Sequence, residues 1–92
     1  MEFEWDAKKA KYNLRKHGIS FEEASSVFND ELAAYYYDPD HSANENRFLM
    51  IGTSSEGQLL HVAFADRGQR IRIISARRPT NREKKIYEEE NR

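Results

Sequence analysis

Cysteine is absent from the 92-residue chain, which removes disulfides, thiolate metal sites and cysteine nucleophiles together and fits a reducing compartment. Long apolar runs are missing too. The longest stretches, such as Phe48-Leu49-Met50-Ile51, fall far below membrane-spanning length, and Met1-Glu2-Phe3-Glu4 lacks the basic start of a signal peptide. These absences lead us to expect a cytoplasmic protein. No internal repeat or low-complexity linker divides the sequence, and 92 residues are too few for two ordinary domains, so residues 1–92 are read as one domain. A domain of this size is held by a margin of roughly 5–10 kcal/mol, so nearly every apolar residue is needed for the core.

What the chain does have is charge. Charged residues make up 34% and hydrophobic residues 38%, which implies a compact core under a heavily charged surface. The formal net charge of −1 conceals a split. Acids dominate the first half, with Glu2, Glu4, Asp6, Glu22, Glu23, Asp30, Glu31, Asp38 and Asp40. Arg67, Arg70, Arg72, Arg77, Arg78, Arg82, Lys84 and Lys85 then follow, relieved only by Glu83, before an acidic Glu88-Glu89-Glu90 tail. A concentrated basic stretch in a balanced protein suggests a localised anion-binding face.

Local signals lay out the elements. Phe3-Glu4-Trp5 alternates as a short edge strand would. Asp6 is an N-cap for a helix over Ala7–His17, expected to bury Ala7, Ala10 and Leu14, with Trp5 and Ala10 as a hydrophobic staple. Gly18 suits the left-handed position that ends it, and Ile19 falls where it can meet Leu14. Ser20-Phe21-Glu22-Glu23 is a capping box for a second short helix, buried through Phe21, Ala24, Val27 and Phe28. The period then changes to two. Strands are expected over Leu32–Tyr37, Arg47–Thr53, Leu59–Asp66 and Arg70–Ser75, the last ones forming an antiparallel meander. Pro79 ends the pattern, and Thr80-Asn81-Arg82-Glu83 is a further capping box, opening a terminal helix that only Ile86 and Tyr87 can dock. The expected class is α+β: an antiparallel sheet of four main strands, two N-terminal helices on one face and a short C-terminal helix.

In Arg70-Ile71-Arg72-Ile73 the isoleucines point to one face and the arginines to the other, so with helices on the Ile side the arginines stand on the open face. Arg77, Arg78 and Arg82 follow at the strand exit and helix start. Guanidinium forks suit phosphate, and the helix beginning near Thr80 adds a favourable dipole. The competing explanation is that these arginines pair with acids of the first half as surface charge. Tyr35, Tyr36, Tyr37 and Tyr87 could stack on bases; Tyr87 is the better placed, because one face of the Tyr35–Tyr37 strand should be core. Lys9, Asn13 and His17 recur at helical spacing as a polar stripe, which offers His17 for proton transfer, although the helix dipole alone would also favour a histidine there. His61 sits mid-strand and reads as satisfied core. Asp38, Asp40 and His41 are better explained by the Pro39 turn than by a metal, so neither metal nor other cofactor is expected.

Phe3-Glu4-Trp5-Asp6, Lys9, Asn13, Lys16-His17-Gly18-Ile19, Phe21-Glu22-Glu23-Ala24 and Phe28 resemble the N-terminal signature of the BrnT family of bacterial toxins. Arg67-Gly68, Arg70 through Arg78, and Arg82-Glu83 to Tyr87-Glu88 resemble its C-terminal signature. The resemblance implies a type II toxin with a RelE-like ribonuclease fold. It implies a BrnA-like ribbon-helix-helix antitoxin as partner, with operator DNA bound through the complex. The expected activity is metal-independent RNA cleavage through attack of the ribose 2′-hydroxyl on the adjacent phosphate. Arg67, Arg77 and Arg78 are the candidates for charge stabilisation and His17 for proton transfer. Arg70, Arg72, Arg82, Tyr87 and Lys9 are the candidates for RNA binding. Two alternatives use the same basic face: a non-catalytic nucleic-acid-binding module, and a protein-interaction domain for an acidic partner.

Overall fold

The computed structural model describes residues 1–91. Strand β1 (Glu2–Glu4) leads into helix α1 (Ala7–His17), where the Asp6 carboxylate accepts from the Lys8 and Lys9 amides. Gly18 takes the left-handed conformation (φ 70°) and donates its N–H to the Leu14 carbonyl, so α1 ends there. The Ser20 hydroxyl caps helix α2 (Phe21–Ser26), which tightens into a 3-10 turn over Val27–Asn29. Strands β2 (Ala34–Tyr37), β3 (Asn46–Thr53), β4 (Leu59–Asp66) and β5 (Arg70–Arg77) follow, and helix α3 (Asn81–Glu90) opens on the expected capping box of Thr80 and Glu83. Among the described residues, no helix is long and apolar enough to cross a membrane.

The sheet corrects the four-stranded antiparallel expectation. It has five strands in the order β1-β5-β4-β3-β2, and it is mixed, because β1 runs parallel to β5. Glu2 lies opposite Arg70 and Glu4 opposite Arg72, a pairing between chain ends that no local pattern announces. The remaining pairs are antiparallel. Both N-terminal helices pack on one face as expected, burying Ile19, Phe21, Ala24 and Val27 against Leu60, Val62, Phe64, Ile71 and Ile73.

Helix α1 is seated differently from the expectation. Ala7 is exposed and Leu14 is 53% exposed, while Asn13, expected on a polar stripe with Lys9 and His17, is the buried residue at 4%. Its Nδ2 donates to the Ile19 carbonyl (2.9 Å) and the Ala76 carbonyl (2.8 Å), and its Oδ1 accepts from the Ala76 amide (3.0 Å). The reason lies in the sheet edge. Strand β1 covers β5 only as far as Arg72, so the amide of Asn13 supplies the pairing that the strand backbone still needs at Ala76.

Strand β5 also breaks its own alternation. Phe64 pairs with Ile73 but Ala63 pairs with Ser75, which leaves Ile74 as an extra bulged residue. An unbroken alternation would put Arg77 on the helix-covered face with Ile71 and Ile73. The bulge instead puts Ala76 under the helices and sets Arg77 opposite His61 on the other face.

Candidate active-site groove

The open face is built in rows. Register places Arg47, Ala65 and Arg72 in one row, Tyr36, Leu49, Ala63 and Ser75 in the next, and Ile51, His61 and Arg77 in a third. Helix α3 packs on β3 and β2 over the last row, where Ile51 is fully buried. The face it leaves open is a cleft of about 370 Å³, with Tyr36, Asp38, His41, Arg47, His61, Ser75, Arg77 and Glu83 among its walls.

Glu83 binds the floor of the cleft together. Its Oε1 accepts from Arg77 Nη1 (2.8 Å) and the Thr80 amide (2.8 Å), and its Oε2 accepts from Arg77 Nη2 (2.9 Å) and lies 3.2 Å from His61 Nε2. The paired hydrogen bonds from Arg77 hold the Glu83 carboxyl far below the usual glutamate value, at about 2, against partial burial. The same bonds raise the Arg77 pKa. His61 is 6% exposed, and burial, joined by the neighbouring Arg77 charge, lowers its pKa despite Glu83. Burial thus disfavours the imidazolium form of His61, and its Nε2 rests beside the Glu83 carboxylate. The donors of Arg77 can be counted. Nη1 serves Glu83 and the Arg78 carbonyl, and Nη2 serves Glu83 with one hydrogen; among the described residues, Nε–H and the second Nη2 hydrogen face no acceptor. These two form a side-on fork of the kind that receives a phosphate.

The rim carries a second pair of groups. His41 Nδ1 lies 2.9 Å from Asp38 Oδ2 across the 3-10 turn Pro39–His41, and the imidazole is exposed. Glu45 accepts from Arg47 Nε (3.1 Å) and from Arg72 Nη2 (2.6 Å to Oε1), so two guanidinium groups share one carboxylate and keep a net positive charge. The Tyr36 pKa is raised by burial and then by Glu83, which keeps the phenol protonated. Among the described residues, no three of His, Asp and Glu gather where they could hold a metal ion.

The family model described as the ribonuclease toxin, BrnT, of type II toxin-antitoxin systems matches residues 5–83. The chain belongs to the BrnT family. The 1.1 Å crystal structure of the Brucella abortus ribonuclease toxin BrnT matches with a TM-score of 0.64 at 24% identity, covering 88% of this chain and 99% of that one, so the fold is shared. No curated protein matches the chain. As a BrnT toxin it has an RNA target and an antitoxin partner implied by its family.

On this BrnT fold the residues singled out by sequence separate. Arg77 lies in the cleft and Arg72 at its edge. Arg70 pairs with Glu2 (3.3 Å) and Glu4 (3.9 Å) along β1. Arg67 is exposed at the β4–β5 turn, Arg82 on the first turn of α3 and Lys9 on α1. Arg78 diverges from Arg77 at the strand exit: its guanidinium donates to the His17 carbonyl (3.2 Å) and to Gln58 Oε1 (2.9 Å), so Arg78 and His17 meet each other away from the cleft walls. Tyr87 donates its hydroxyl to Asp30 Oδ2 (2.8 Å), 3.3 Å from Thr53 Oγ1, and so pins α3 to the body. Sequence reasoning assigned Asp38 and His41 to the Pro39 turn and did not single out Glu45, Arg47 or Glu83 as site residues. The i, i+3 spacing of Asp38 and His41 around Pro39 was a usable signal for one of these pairs. Glu83 was visible only as a helix cap.

Proposed function

We propose that this BrnT toxin cuts RNA in the open-face cleft, without a metal ion, by attack of a ribose 2′-hydroxyl on the adjacent phosphate. The observation that carries this reading is that one cleft joins a guanidinium fixed by Glu83, with a free two-donor edge, to an exposed His41 oriented by Asp38. The 2′-oxygen–phosphorus bond forms as the phosphorus–5′-oxygen bond breaks, leaving a 2′,3′-cyclic phosphate and a 5′-hydroxyl. His41 takes the 2′-hydroxyl proton on Nε2, since Nδ1 is engaged by Asp38. Arg77 meets the charge that builds on the phosphorane oxygens, and Tyr36 gives a proton to the departing 5′-oxygen. Arg47 and Arg72 hold the flanking phosphate on one side, and Arg67 and Arg70 lie farther out along β4 and β5. Arg82, Lys9 and the Arg78–His17 pair are reached only by RNA that wraps beyond the cleft. The toxin works in the cytoplasm, and its partner is a ribbon-helix-helix antitoxin through which the complex binds operator DNA.

Single-turnover cleavage of a defined RNA in excess chelator tests this reading. The parent should give 2′,3′-cyclic phosphate ends. Arg77→Ala should lose about 10²–10³-fold, as for removal of one transition-state donor. His41→Ala should lose about 10²–10⁴-fold. Parental rates in both variants would place the chemistry elsewhere, and RNA binding with no cleavage by the parent would make the domain a binding module.

A further inference from the structure

Strand β2 is one of the two outer strands of the sheet, and among the described residues no strand pairs with its far edge. Outer strands ordinarily carry lysine, proline or a bulge that discourages further pairing. This one reads Ala34-Tyr35-Tyr36-Tyr37, with Tyr35 66% exposed and Leu32, Tyr36 and Tyr37 also open to solvent. The Asp38 amide donates to the Arg47 carbonyl at 2.8 Å, which sets the phase of the β2–β3 ladder. With Tyr36 opposite Leu49 and Ala34 opposite Ile51, the inward-bonded positions are Asp38, Tyr36 and Ala34. The N–H and C=O groups of Tyr35 and Tyr37 therefore point away from β3, toward the free edge.

Clefts flank this edge on both faces. On the helix side, one of about 330 Å³ is lined by Phe28, Ala33, Tyr35, Met50 and Phe64, with Glu31 at its rim. On the open side, one of about 290 Å³ is lined by Ala34, Tyr36 and Ile86, with Glu90 at its rim. A strand laid along β2 would send alternate side chains to the two faces. The helix-side cleft suits large apolar side chains, while Glu31 at its rim and Glu90 at the rim of the open-side cleft suit cations.

We infer that β2 is the docking edge for an extended segment of the antitoxin, one that alternates apolar residues with lysine or arginine and pairs with Tyr35 and Tyr37 as a sixth strand. This rests on the toxin-antitoxin reading above. A second copy of the chain would lay its own Ala34-Tyr35-Tyr36-Tyr37 strand along the edge, which brings no lysine or arginine to Glu31 and Glu90. The placement also supplies inhibition. Tyr36 lines both the open-side cleft and the catalytic groove, so a segment seated over it closes one wall of the groove.

The test uses the purified complex with the antitoxin encoded beside the toxin gene. The Tyr35 and Tyr37 amides should exchange with deuterium freely in the toxin alone and become protected in the complex. Tyr35→Pro removes an N–H that points away from β3, so the sheet keeps its ladder bonds. It should weaken antitoxin binding at least about tenfold, which corresponds to about 1.4 kcal/mol, while RNA cleavage stays at the parental rate. Glu31→Lys with Glu90→Lys should weaken binding too, and added salt should narrow the difference. Tight antitoxin binding with both amides still exchanging would overturn the inference and leave the ribonuclease reading standing. Protection of both amides in the toxin alone, rising with its concentration, would assign the edge to a second copy and overturn it as well. An RNA-cleaving toxin that binds no antitoxin would refute the docking edge but not the nuclease.

Discussion

Asn13 and Arg77 show how much a single side chain does here. Asn13 pairs its amide with both the N–H and the C=O of Ala76 and donates a further hydrogen bond to the Ile19 carbonyl, so it ties α1, the Gly18 corner and β5 at one buried point. Replacing it with Ala would strand a buried amide and carbonyl at Ala76, where water has little access. The expected loss is about 2–4 kcal/mol, from unsatisfied groups at about 1–3 kcal/mol each. Urea unfolding checks it, and a loss below about 0.5 kcal/mol, as for an exposed polar residue, would contradict the burial. Asn13 was legible as a motif residue but not as core, because hydrophobic periodicity assigns an amide to the surface by default. For Arg77 the sequence was informative about charge and silent about partners. Its carboxylate neighbour Glu83 lies six residues on, already accounted for as a helix cap, and its imidazole neighbour His61 lies on another strand.

At the scale of elements, the local features were readable and the long-range ones were not. The three helix N-caps, the Gly18 corner and the β3–β4–β5 meander follow from neighbouring residues, whose chemistry is written in order along the chain. The parallel β1–β5 pair and the Ile74 bulge depend on partners far away in sequence, and the bulge alone decides which face receives Arg77. Helix α3 belongs to the second kind. It brings Glu83 to the groove, yet besides the Arg77–Glu83 pair it is held by few contacts: Ile86, the Tyr87 hydroxyl on Asp30, and Asn91 Nδ2 donating to the Leu32 carbonyl (3.1 Å). Asp30 is itself fixed by the Thr53 and Leu32 amides, so the Tyr87 bond ties α3 to a rigid post. Tyr87→Phe should cost about 1 kcal/mol of stability, the net worth of one hydrogen bond. It should also lower cleavage, because a looser α3 holds Glu83 against Arg77 less of the time. Full protection of the α3 amides in the variant, with an unchanged cleavage rate, would show that the pin is dispensable.

Over the whole molecule, the acidic half of the sequence folds onto the basic half. Glu2 and Glu4 meet Arg70, Glu45 meets Arg47 and Arg72, and Glu83 meets Arg77 within the basic stretch itself. Charge that looks segregated in the sequence is paired in space, and this makes stability sensitive to acid. The Glu83 carboxyl titrates at about 2 in the folded chain against an ordinary 4.5, so its stabilisation is present above about pH 4.5 and is lost as pH falls toward 2. Asp30 and Glu45 are also lowered and add to the loss in acid. His61 acts earlier. Its folded pKa lies below the ordinary 6.5, so the unfolded chain takes up a proton that the buried imidazole refuses, and stability begins to fall below about pH 6.5. Urea midpoints measured from pH 8 to pH 2.5 should therefore be level at the top, decline gently below 6.5 and decline more steeply below 4.5. Glu83→Gln should be less stable at neutral pH, since Arg77 loses its charged partner, and its curve should flatten below pH 4.5 without becoming level, because Asp30 and Glu45 still titrate. His61→Gln should remove the early decline and keep the later one. An acid limb in Glu83→Gln as steep as that of the parent would mean that the Arg77–Glu83 pair contributes little to holding α3 over the groove.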